Sequence, residues 1–267
     1  MVNAQTQDRL RQRYNPDNSQ LRALQIRMLE ILICIDQICQ EHDIPYWLGS
    51  GTLLGAVRHG GFIPWDDDID IELLRADYLK LIKILSKELP KKYALQTQKS
   101  DSGYVYLYAK VRDTQSLVKE KCVFNKQFEY NGAFIDIFPL EHTHKHLARI
   151  ASVCYNRLCL GTASRNSTRK LFKFNYKLLT KIIFPFFRIF SLACDKGILH
   201  HTYGVGFLNN ERNIKDIFPL TKIEFEGYLF NAPYNRESYL KKLYGQNYMN
   251  IPQNIETHFE ENDISIW

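Results

Sequence analysis

Residues 46–72 read YWLGSGTLLGAVRHGGFIPWDDDIDIE, and this stretch carries most of the information about fold and chemistry. A turn of small residues, Gly49-Ser50-Gly51, follows a short apolar run and precedes a short helical segment. About fifteen residues later, four of five consecutive positions are aspartates: Asp66, Asp67, Asp68 and Asp70. Crowded carboxylates repel one another at neutral pH unless a cation neutralises them. A turn suited to phosphate beside such a cluster indicates chemistry on a phosphate.

The alternation Asp68-Ile69-Asp70 predicts a strand in which both carboxylates project from one face while Ile69 points into the core. Asp66 continues the alternation if the chain stays extended. Oxygen ligands on one rigid face suit a hard divalent cation, Mg²⁺ or Mn²⁺. The pattern therefore predicts a metal site, and a solvated turn or a helix cap is the alternative for an isolated Asp-x-Asp pair.

A further aspartate lies inside an otherwise apolar run, FIDIF at 134–138. Burying an unpaired carboxylate in such a strand costs free energy, so Asp136 requires a partner. A strand beside Asp68 and Asp70 would supply that partner as a shared metal ion. Asp136 is therefore predicted to belong to the same site as the acidic cluster.

The Gly49-Ser50-Gly51 turn and the following Thr52 offer backbone N–H groups at a helix start, where phosphate binds favourably. An ordinary turn is an equal alternative, and the lack of a Gly-Lys-Ser/Thr sequence argues against P-loop chemistry. Arg58 and Lys110 are candidates for positive charge around the phosphate, with a surface cation as the alternative for each.

Composition limits the class of protein. A chain of 267 residues, 45% hydrophobic and 24% charged, suits one large globular domain or two small ones. Its net charge of +6 permits an anionic substrate or a membrane surface, and no nucleic-acid partner is predicted. Residues 1–18 lack the apolar core of a signal peptide, and no stretch approaches the ~20 apolar residues of a membrane span. We expect a cytoplasmic protein, free or peripheral at the inner face of the cell membrane.

The hydrophobic pattern divides the chain into an arm and a body. Residues 1–18 are expected to form a flexible arm, and 19–267 a single catalytic domain that begins with a helix over about 19–42. The alternating tyrosines of 104–112 predict a strand. Residues 142–220 are expected to be a mainly helical insertion that faces the acceptor or a membrane.

A basic and aromatic segment stands out within that insertion. Over residues 169–188, cations recur every four residues among many apolar side chains, and Pro185 is expected to kink the helix. An interfacial helix that contacts anionic lipid fits this pattern. A core helix with a solvated basic edge fits it equally well.

Three motifs together resemble those of the LicD family, which includes bacterial phosphocholine transferases and is related to fukutin and fukutin-related protein. The first is the opening stretch from Tyr46 to Asp70, and the second is GAFIDIFPL at 132–140. The third comprises FEG at 225–227 and the segment from Tyr239 to Pro252. The resemblance covers most of the chain, but no motif matches within about 142–220.

The resemblance implies a nucleotidyltransferase-like α/β (α+β) fold, with a mixed sheet that carries the aspartates, flanking helices and a helical second half. It implies a metal-dependent transferase that moves phosphocholine from CDP-choline onto a sugar hydroxyl of a cell-surface glycan and releases CMP. The acceptor would be lipopolysaccharide, teichoic acid, capsule or a related glycolipid. The divalent metal would be held by four acids: Asp66, Asp68, Asp70 and Asp136.

Several other functions remain open. The fold also permits nucleotidyl transfer, in which pyrophosphate leaves, or transfer of ethanolamine, glycerol or ribitol phosphate. A glycosyltransferase with an Asp-x-Asp motif would leave Asp136 and the Gly-Ser turn unexplained. Outside the enzymes, the chain would be a glycan- or membrane-binding module that uses the basic helix.

Overall fold

Seven strands form a mixed β-sheet at the centre of the fold. The computed structural model describes residues 2–119, 124, 127–163, 169–191, 197–206, 211–253, 255 and 263–266. The strands of the sheet are β1 (Trp47–Leu48), β2 (Asp70–Leu74), β3 (Tyr93–Gln96), β4 (Ala109–Asp113), β6 (Phe134–His142), β7 (Ile198–His201) and β8 (Arg212–Asn213). Two antiparallel pairs lie outside it, β5 (Ser116–Val118) with β11 (Ile264–Ile266) and the hairpin of β9 (Thr221–Phe225) with β10 (Tyr228–Ala232).

Helices flank the sheet on both sides and form most of the region between β6 and β7. They are α1 (Ala4–Tyr14), α2 (Gln20–Glu41), α3 (Ser50–His59), α4 (Arg75–Glu88), α5 (Lys145–Tyr155), α6 (Gly161–Ala163), α7 (Arg169–Leu178), α8 (Phe184–Ser191), α9 (Ile214–Ile217) and α10 (Arg236–Tyr244). Two π-helical turns, Asn156–Leu160 and Leu179–Ile183, join α5 to α6 and α7 to α8. The predicted α/β class, a mixed sheet flanked by helices, is confirmed.

Strand β6 is the hub of the sheet. It pairs with β2 in parallel along one edge, while β4 and then β7 pair with it antiparallel along the other edge. β1 extends the sheet beyond β2, β3 lies beyond β4, and β8 lies beyond β7. The parallel pair matters for function because it sets Asp70 opposite Asp136.

The two faces of the sheet differ in chemistry. Side chains alternate between faces along a strand, so Ile71 and Ile137 share one face while Asp70 and Asp136 share the other. The apolar face joins the main core, which includes buried residues of α2 and α4, and both helices contact the sheet. Hydrophobic burial therefore fixes one face and leaves the acidic face directed away from α2 and α4.

Helix α2 forms where the periodicity predicts it. Its N-cap Ser19 accepts a hydrogen bond from the Arg22 N–H at 3.1 Å, and Met28, Leu32 and Ile35 are fully buried. The helix ends at Glu41, a few residues before Pro45. The capping residue and the continuous apolar stripe therefore indicate the same helix.

The N-terminal segment differs from the predicted flexible arm, because residues 4–14 form α1. Asn3 caps this helix by accepting the Thr6 N–H at 2.8 Å. Further contacts tie the segment to the body: the Val2 N–H donates to the Arg58 carbonyl at 2.9 Å, and Gln7 Oε1 lies 2.6 Å from His59 Nδ1. Leu10 is buried and Tyr14 packs edge-on against Trp65 at 5.4 Å, but two apolar contacts in a polar segment were too few to predict this docking.

The strand predicted over 104–112 begins only at Ala109. Tyr104 is completely buried in a second core together with Tyr155 and Phe184, and Tyr155 donates to the Val105 carbonyl at 2.5 Å. Alternation of tyrosines is typical of a strand, but here packing against the inserted helices determines the backbone. The prediction was wrong for 104–108 and correct from 109 onward.

The inserted region is helical over 145–163 and 169–191, as far as the structure describes it. It then contributes β7 and β8 to the central sheet, so the region predicted as mainly helical up to residue 220 also contains strands. The helices pack on Tyr104, Phe128 and Tyr203 and form the second core. Among the described residues, no helix combines the length and hydropathy that a membrane span requires.

We predict that Gly55→Ala lowers the free energy of unfolding by about 2–3 kcal/mol. A Cβ at position 55 would lie 2.5 Å from the Gly61 carbonyl oxygen and 3.1 Å from the Ile63 nitrogen, both backbone atoms that cannot rotate away. Urea unfolding followed by circular dichroism measures the change. Gly161→Ala is the matched control, since its Cβ would meet only the Asn156 oxygen at 3.6 Å. Equal stability of both variants would contradict the close approach of α3 and the 61–63 loop.

Candidate active site

Three consecutive aspartates form an acidic cluster just before β2. One carboxylate oxygen from each of Asp66, Asp67 and Asp68 lies within 4.8 Å of the other two. The loop is anchored on α2, because Gln25 Nε2 donates to the Asp66 carbonyl at 2.9 Å. Asp67 is buried, and Asp66 and Asp68 are half-buried. Asp67 was not among the predicted ligands, although it belongs to this cluster.

Asp70 and Asp136 lie side by side at the start of the parallel pair. They are register partners, and the Asp136 N–H donates to the Ile69 carbonyl at 2.8 Å. Adjacent strands are about 4.8 Å apart, so the two carboxylates project from one face at close range. The structure therefore brings the predicted aspartates of two distant segments together on one face of the sheet.

The ionisation of these acids reflects their mutual repulsion. Burial and the neighbouring Asp68 and Asp136 carboxylates raise the pKa of Asp70 well above its ordinary range. Burial and the charges of Asp68 and Asp67 likewise raise the pKa of Asp66. Negative charge is thus accumulated here beyond what the protein alone compensates.

Lys110 contributes positive charge to the same face. It is the register partner of Asp136 on β4, and its Nζ lies 2.8 Å from Asp136 Oδ1. The ammonium also lies 3.4 Å from the centre of the Phe134 ring, a cation–π contact. The structure places this phosphate-binding candidate at the acidic centre, where it partly balances Asp136.

The small-residue turn lies directly against the acids. A Cβ at Gly49 would meet Glu72 Cγ at 2.8 Å, and a Cβ at Gly51 would lie 3.1 Å from Asp66 Oδ2. Ser50 between them has a φ of +41°, an uncommon backbone state for a residue other than glycine. Strain of this kind concentrates at functional sites, and the glycines allow the carboxylates to approach the backbone.

Helix α3 presents its N-terminus to this cluster. Gly49 is the N-cap and supplies no capping side chain, so the first N–H groups of α3 lack intrahelical partners. Thr52 Oγ1 accepts the Asp70 N–H at 2.8 Å, which ties the helix to β2. The predicted phosphate-binding turn thus borders the acids, and Thr52 holds the two elements together.

Arg58 takes a more structural position than predicted. It is buried at the other end of α3, where it donates to the carbonyls of Tyr248 and Asn250, each at 3.1 Å. Burial lowers its pKa, and the negative charge of Asp66 acts in the opposite direction. Arg58 therefore contributes long-range charge and fastens the C-terminal segment to α3.

Glu72 continues the acidic alternation, but the sequence-based analysis did not single it out. It is fully buried and accepts hydrogen bonds from three side chains: Trp47 Nε1 at 2.9 Å, the Tyr239 hydroxyl at 2.7 Å and an Arg212 terminal nitrogen at 2.6 Å. Burial acts to raise the pKa of Glu72, but the Arg212 guanidinium and His201 together outweigh it and hold the pKa below its ordinary range. Asp70-Ile71-Glu72 repeats the Asp-x-Asp period, which was the available signal.

Tyr244 of α10 was not among the predicted site residues, and α10 packs against α3. Burial and the negative charges of Asp70, Asp66 and Asp68 raise the pKa of its hydroxyl. The side chain keeps 44% of its surface exposed. Tyr244 lies within the third motif, in the segment from Tyr239 to Pro252, but that motif assigned it no role in the site.

Aromatic rings line the acidic face beyond Lys110. Tyr108 packs on Phe138 at 4.5 Å between ring centres, Phe138 stacks on His201 at 5.0 Å, and Tyr106 stacks on Tyr108 at 5.2 Å. Tyr106, Tyr108 and Phe138 are half-buried, whereas Trp47 is fully buried and bonded to Glu72. Half-buried rings on this face of the sheet suit contact with a cationic group of a substrate.

The donor set fits a divalent metal ion. Carboxylate oxygens from two neighbouring segments converge, and Mg²⁺ and Mn²⁺ prefer oxygen ligands. Burial and the neighbouring carboxylates raise the pKa of Asp66 and Asp70, so a bound cation would favour their ionised forms. Residues present at the site are therefore suited to hold such an ion.

Comparisons with known proteins agree with this geometry. Residues 43–158 match the family model described as LicD/FKTN/FKRP, nucleotidyltransferase domain. The chain is 29% identical to the lipopolysaccharide cholinephosphotransferase LicD of Haemophilus influenzae over 87% of this chain and 92% of that protein. Two shorter matches are the human ribitol 5-phosphate transferase FKRP, 53% identical over 40 residues (15% of this chain, 8% of that protein), and the mouse ribitol-5-phosphate transferase FKTN, 34% identical over 68 residues (25% and 15%).

These matches confirm the resemblance to the LicD family: the chain carries a LicD-type nucleotidyltransferase domain over 43–158 and is an enzyme of the transferase class. The matched region contains α3, β2 and β6, and with them the acidic cluster, Asp70 and Asp136. The family model ends at residue 158, so it leaves out most of the insertion, where no motif was recognised, and also the third motif at 225–252.

We predict that Glu72→Gln lowers the free energy of unfolding by about 3–5 kcal/mol, because it leaves the buried Arg212 guanidinium without its counter-charge. Urea unfolding measures this loss, and Glu72→Gln combined with Arg212→Met should recover part of it in a double-mutant cycle. Lys241→Met with Glu237→Gln is the exposed-pair control and should leave the urea midpoint nearly unchanged, because water screens that ion pair. A similarly small loss for Glu72→Gln would contradict a charged Glu72–Arg212 pair.

Proposed function

We propose that this protein transfers phosphocholine from CDP-choline to a sugar hydroxyl of a cell-surface glycan, such as lipopolysaccharide, teichoic acid or capsule, and releases CMP. The observation that carries the proposal is the convergence of Asp66–Asp68, Asp70 and Asp136 on one face of the sheet. The chain is also similar over most of its length to a lipopolysaccharide cholinephosphotransferase. A diphosphate donor brings the negative charge that such a centre would bind through a metal ion.

The proposed metal is Mg²⁺ or Mn²⁺, held by Asp66, Asp68, Asp70 and Asp136. When bound, the ion would neutralise charge on the diphosphate and on the departing nucleotide. Asp67 lies close enough to contribute an additional oxygen. Thr52 and Gln25 position these acids, because one bonds the Asp70 N–H and the other the Asp66 carbonyl.

The chain's own groups would bind and orient the donor. Backbone N–H groups of Ser50, Gly51 and Thr52 at the start of α3 would donate hydrogen bonds to phosphate oxygens, with support from the helix dipole. The Gly49 N–H instead donates to the Asp70 carbonyl at 2.9 Å and fixes the turn against β2. Lys110 would add positive charge beside Asp136, and Arg58 would add it from further away. These roles follow from the shared position of the turn and the acids.

The transfer is an in-line displacement at the choline-bearing phosphorus. The sugar hydroxyl oxygen forms a bond to that phosphorus while the bond to the bridging oxygen breaks, and CMP departs with the electron pair. One carboxylate of the cluster, Asp66 or Asp136, would take the hydroxyl proton. Tyr106, Tyr108 and Phe138 would contact the trimethylammonium group through their ring faces.

Ribitol phosphate is the second candidate for the transferred group. The 40 residues similar to human ribitol 5-phosphate transferase FKRP, at 53% identity, favour it locally. The similarity to the cholinephosphotransferase extends over 87% of this chain, which supports choline more strongly. Ribitol has no cationic head, so it would gain nothing from the aromatic rings beside Lys110.

We predict that purified protein releases CMP from CDP-choline when Mg²⁺ or Mn²⁺ and a lipopolysaccharide or teichoic-acid acceptor are present. Asp68→Ala and Asp136→Ala should each lower the rate about 100-fold or more, because each removes a ligand for the ion that offsets phosphate charge. Chromatographic quantification of CMP measures the rate. Asp8→Ala, which removes an exposed carboxylate from α1, is the matched control and should leave the rate unchanged.

The same assay separates the alternatives. CMP from CDP-ribitol and not from CDP-choline would replace choline by ribitol. Pyrophosphate released from CTP would replace phospho-alcohol transfer by nucleotidyl transfer. A metal-binding protein that turns over none of these donors would contradict the proposal.

We also predict that Mn²⁺ raises the midpoint of thermal unfolding of the wild type and not that of Asp68→Ala or Asp136→Ala. An ion that binds only the folded state at about 100 times its dissociation constant adds about 2.7 kcal/mol of stability. Calorimetry with and without Mn²⁺ measures the shift, with Asp8→Ala again as control. An equal shift in all variants would place the metal elsewhere.

A further inference from the structure

Positive charge is segregated in the helical insertion. Between His142 and Ser191 the sequence contains ten lysines and arginines and no aspartate or glutamate. The whole chain carries a net charge of +6, so the remainder of the chain carries −4. A basic unit inserted in an otherwise acidic protein indicates a partner with negative charge.

Helices α7 and α8, with the π-helical turn between them, expose a continuous apolar row. Phe174 has 63% of its surface exposed, Ile182 has 62%, Phe186 has 56% and Ile189 has 63%. Leu171, at 48%, begins this row, and half-buried Leu178 fills the gap between positions 174 and 182. We call it the exposed apolar row, and it consists of Leu171, Phe174, Leu178, Ile182, Phe186 and Ile189.

The same helices bury a different row. Phe172, Leu179 and Phe184 lie in the second core with at most 3% exposure. This second row satisfies the packing needs of the helices, so the exposed apolar row is surplus to the fold. Four-residue steps drift by about 40° around an α-helix, and the wider π-helical turn over 179–183 offsets that drift. The exposed apolar row therefore stays on one side of the helices from Leu171 to Ile189, 19 residues or about 28 Å.

Four exposed lysines flank the exposed apolar row: Lys170, Lys173, Lys177 and Lys181. Spacings of three and four residues place them on one side of the helix. A lysine row beside large aliphatic and aromatic side chains matches helices that lie in the headgroup region of an anionic bilayer.

We propose that α7, the π-helical turn and α8 form a docking surface for anionic lipid membranes. The apolar row enters the boundary between headgroups and acyl chains, and the lysine row binds the negatively charged headgroups. Of the two interpretations that the sequence left open, this one accounts for exposed phenylalanines that a core helix would bury.

Charge decides between a lipid surface and a second copy of the chain. A symmetric dimer through this face would set the four lysines of one copy against the same four of the other, with no acid in α7 or α8 to pair them. An anionic bilayer supplies both an apolar layer and the opposite charge. The observations therefore favour the membrane.

Docking on this surface would hold the acidic centre beside the membrane. Tyr155 of α5 bonds the Val105 carbonyl, in the segment that leads into β4 and Lys110. Arg188 of α8 donates to both carboxylate oxygens of Glu141 on β6, at 2.7 and 2.9 Å. The surface is thus rigidly connected to the strands that carry the site, and its membrane contact does not depend on the proposed reaction.

Vesicle co-sedimentation tests the proposal with two lipid compositions, phosphatidylcholine alone and phosphatidylcholine with about one third phosphatidylglycerol. We expect the wild type to bind the anionic vesicles, to bind neutral ones at least about tenfold more weakly, and to be released by high salt. Asp136→Asn should bind as the wild type does. Two triple variants should each bind the anionic vesicles at least about tenfold more weakly: Phe174→Ser, Ile182→Ser, Phe186→Ser; and Lys173→Gln, Lys177→Gln, Lys181→Gln.

Matched triple variants control for apolar area and charge. They remove exposed apolar residues or lysines elsewhere on the surface and should bind like the wild type: Leu79→Ser, Leu229→Ser, Tyr234→Ser; and Lys80→Gln, Lys83→Gln, Lys87→Gln. Circular dichroism confirms folding of every variant. Equal losses in test and control variants would overturn the proposal. A wild type that binds neither kind of vesicle would also overturn it. That includes a wild type that binds no vesicles and instead self-associates through Phe174 and Ile182 in analytical ultracentrifugation.

Discussion

The parallel pairing of β2 with β6 is the interaction on which the rest of the structure depends. It sets Asp70 opposite Asp136 in register, although the two residues are far apart in the chain. The pairing is stable because Ile71 and Ile137, on the opposite face, are fully buried in the main core. Apolar burial on one face therefore sustains repulsion between carboxylates on the other.

Neighbouring side chains compensate part of this carboxylate charge. Glu72, one pleat further along β2, is neutralised by Arg212 and bonded by Trp47 and Tyr239, so the sheet remains intact beside the acids. Lys110 partly balances Asp136. The acidic cluster before β2 gathers one carboxylate oxygen from each of three aspartates within 4.8 Å of one another, which suits it to a metal ion and a phosphate substrate.

Local patterns predicted much of this arrangement, and long-range packing determined the remainder. Asp68, Asp70 and Asp136 were identifiable because a carboxylate inside an apolar or alternating run needs a partner for its charge. The strand over 104–108 was wrong, since burial of Tyr104 under the inserted helices outweighs alternation. Tyr244 reaches the site only through the fold, and no spacing rule connects it to β2.

The central claim is that acids from β2, the preceding loop and β6 hold one divalent cation. Crystals soaked in Mn²⁺ test it directly through anomalous diffraction recorded near the manganese absorption edge. We expect a peak within about 2.2 Å of carboxylate oxygens from both Asp70 and Asp136, the distance typical of small divalent cations. A fully ordered site without a peak, or a peak bound by neither of these residues, would contradict it.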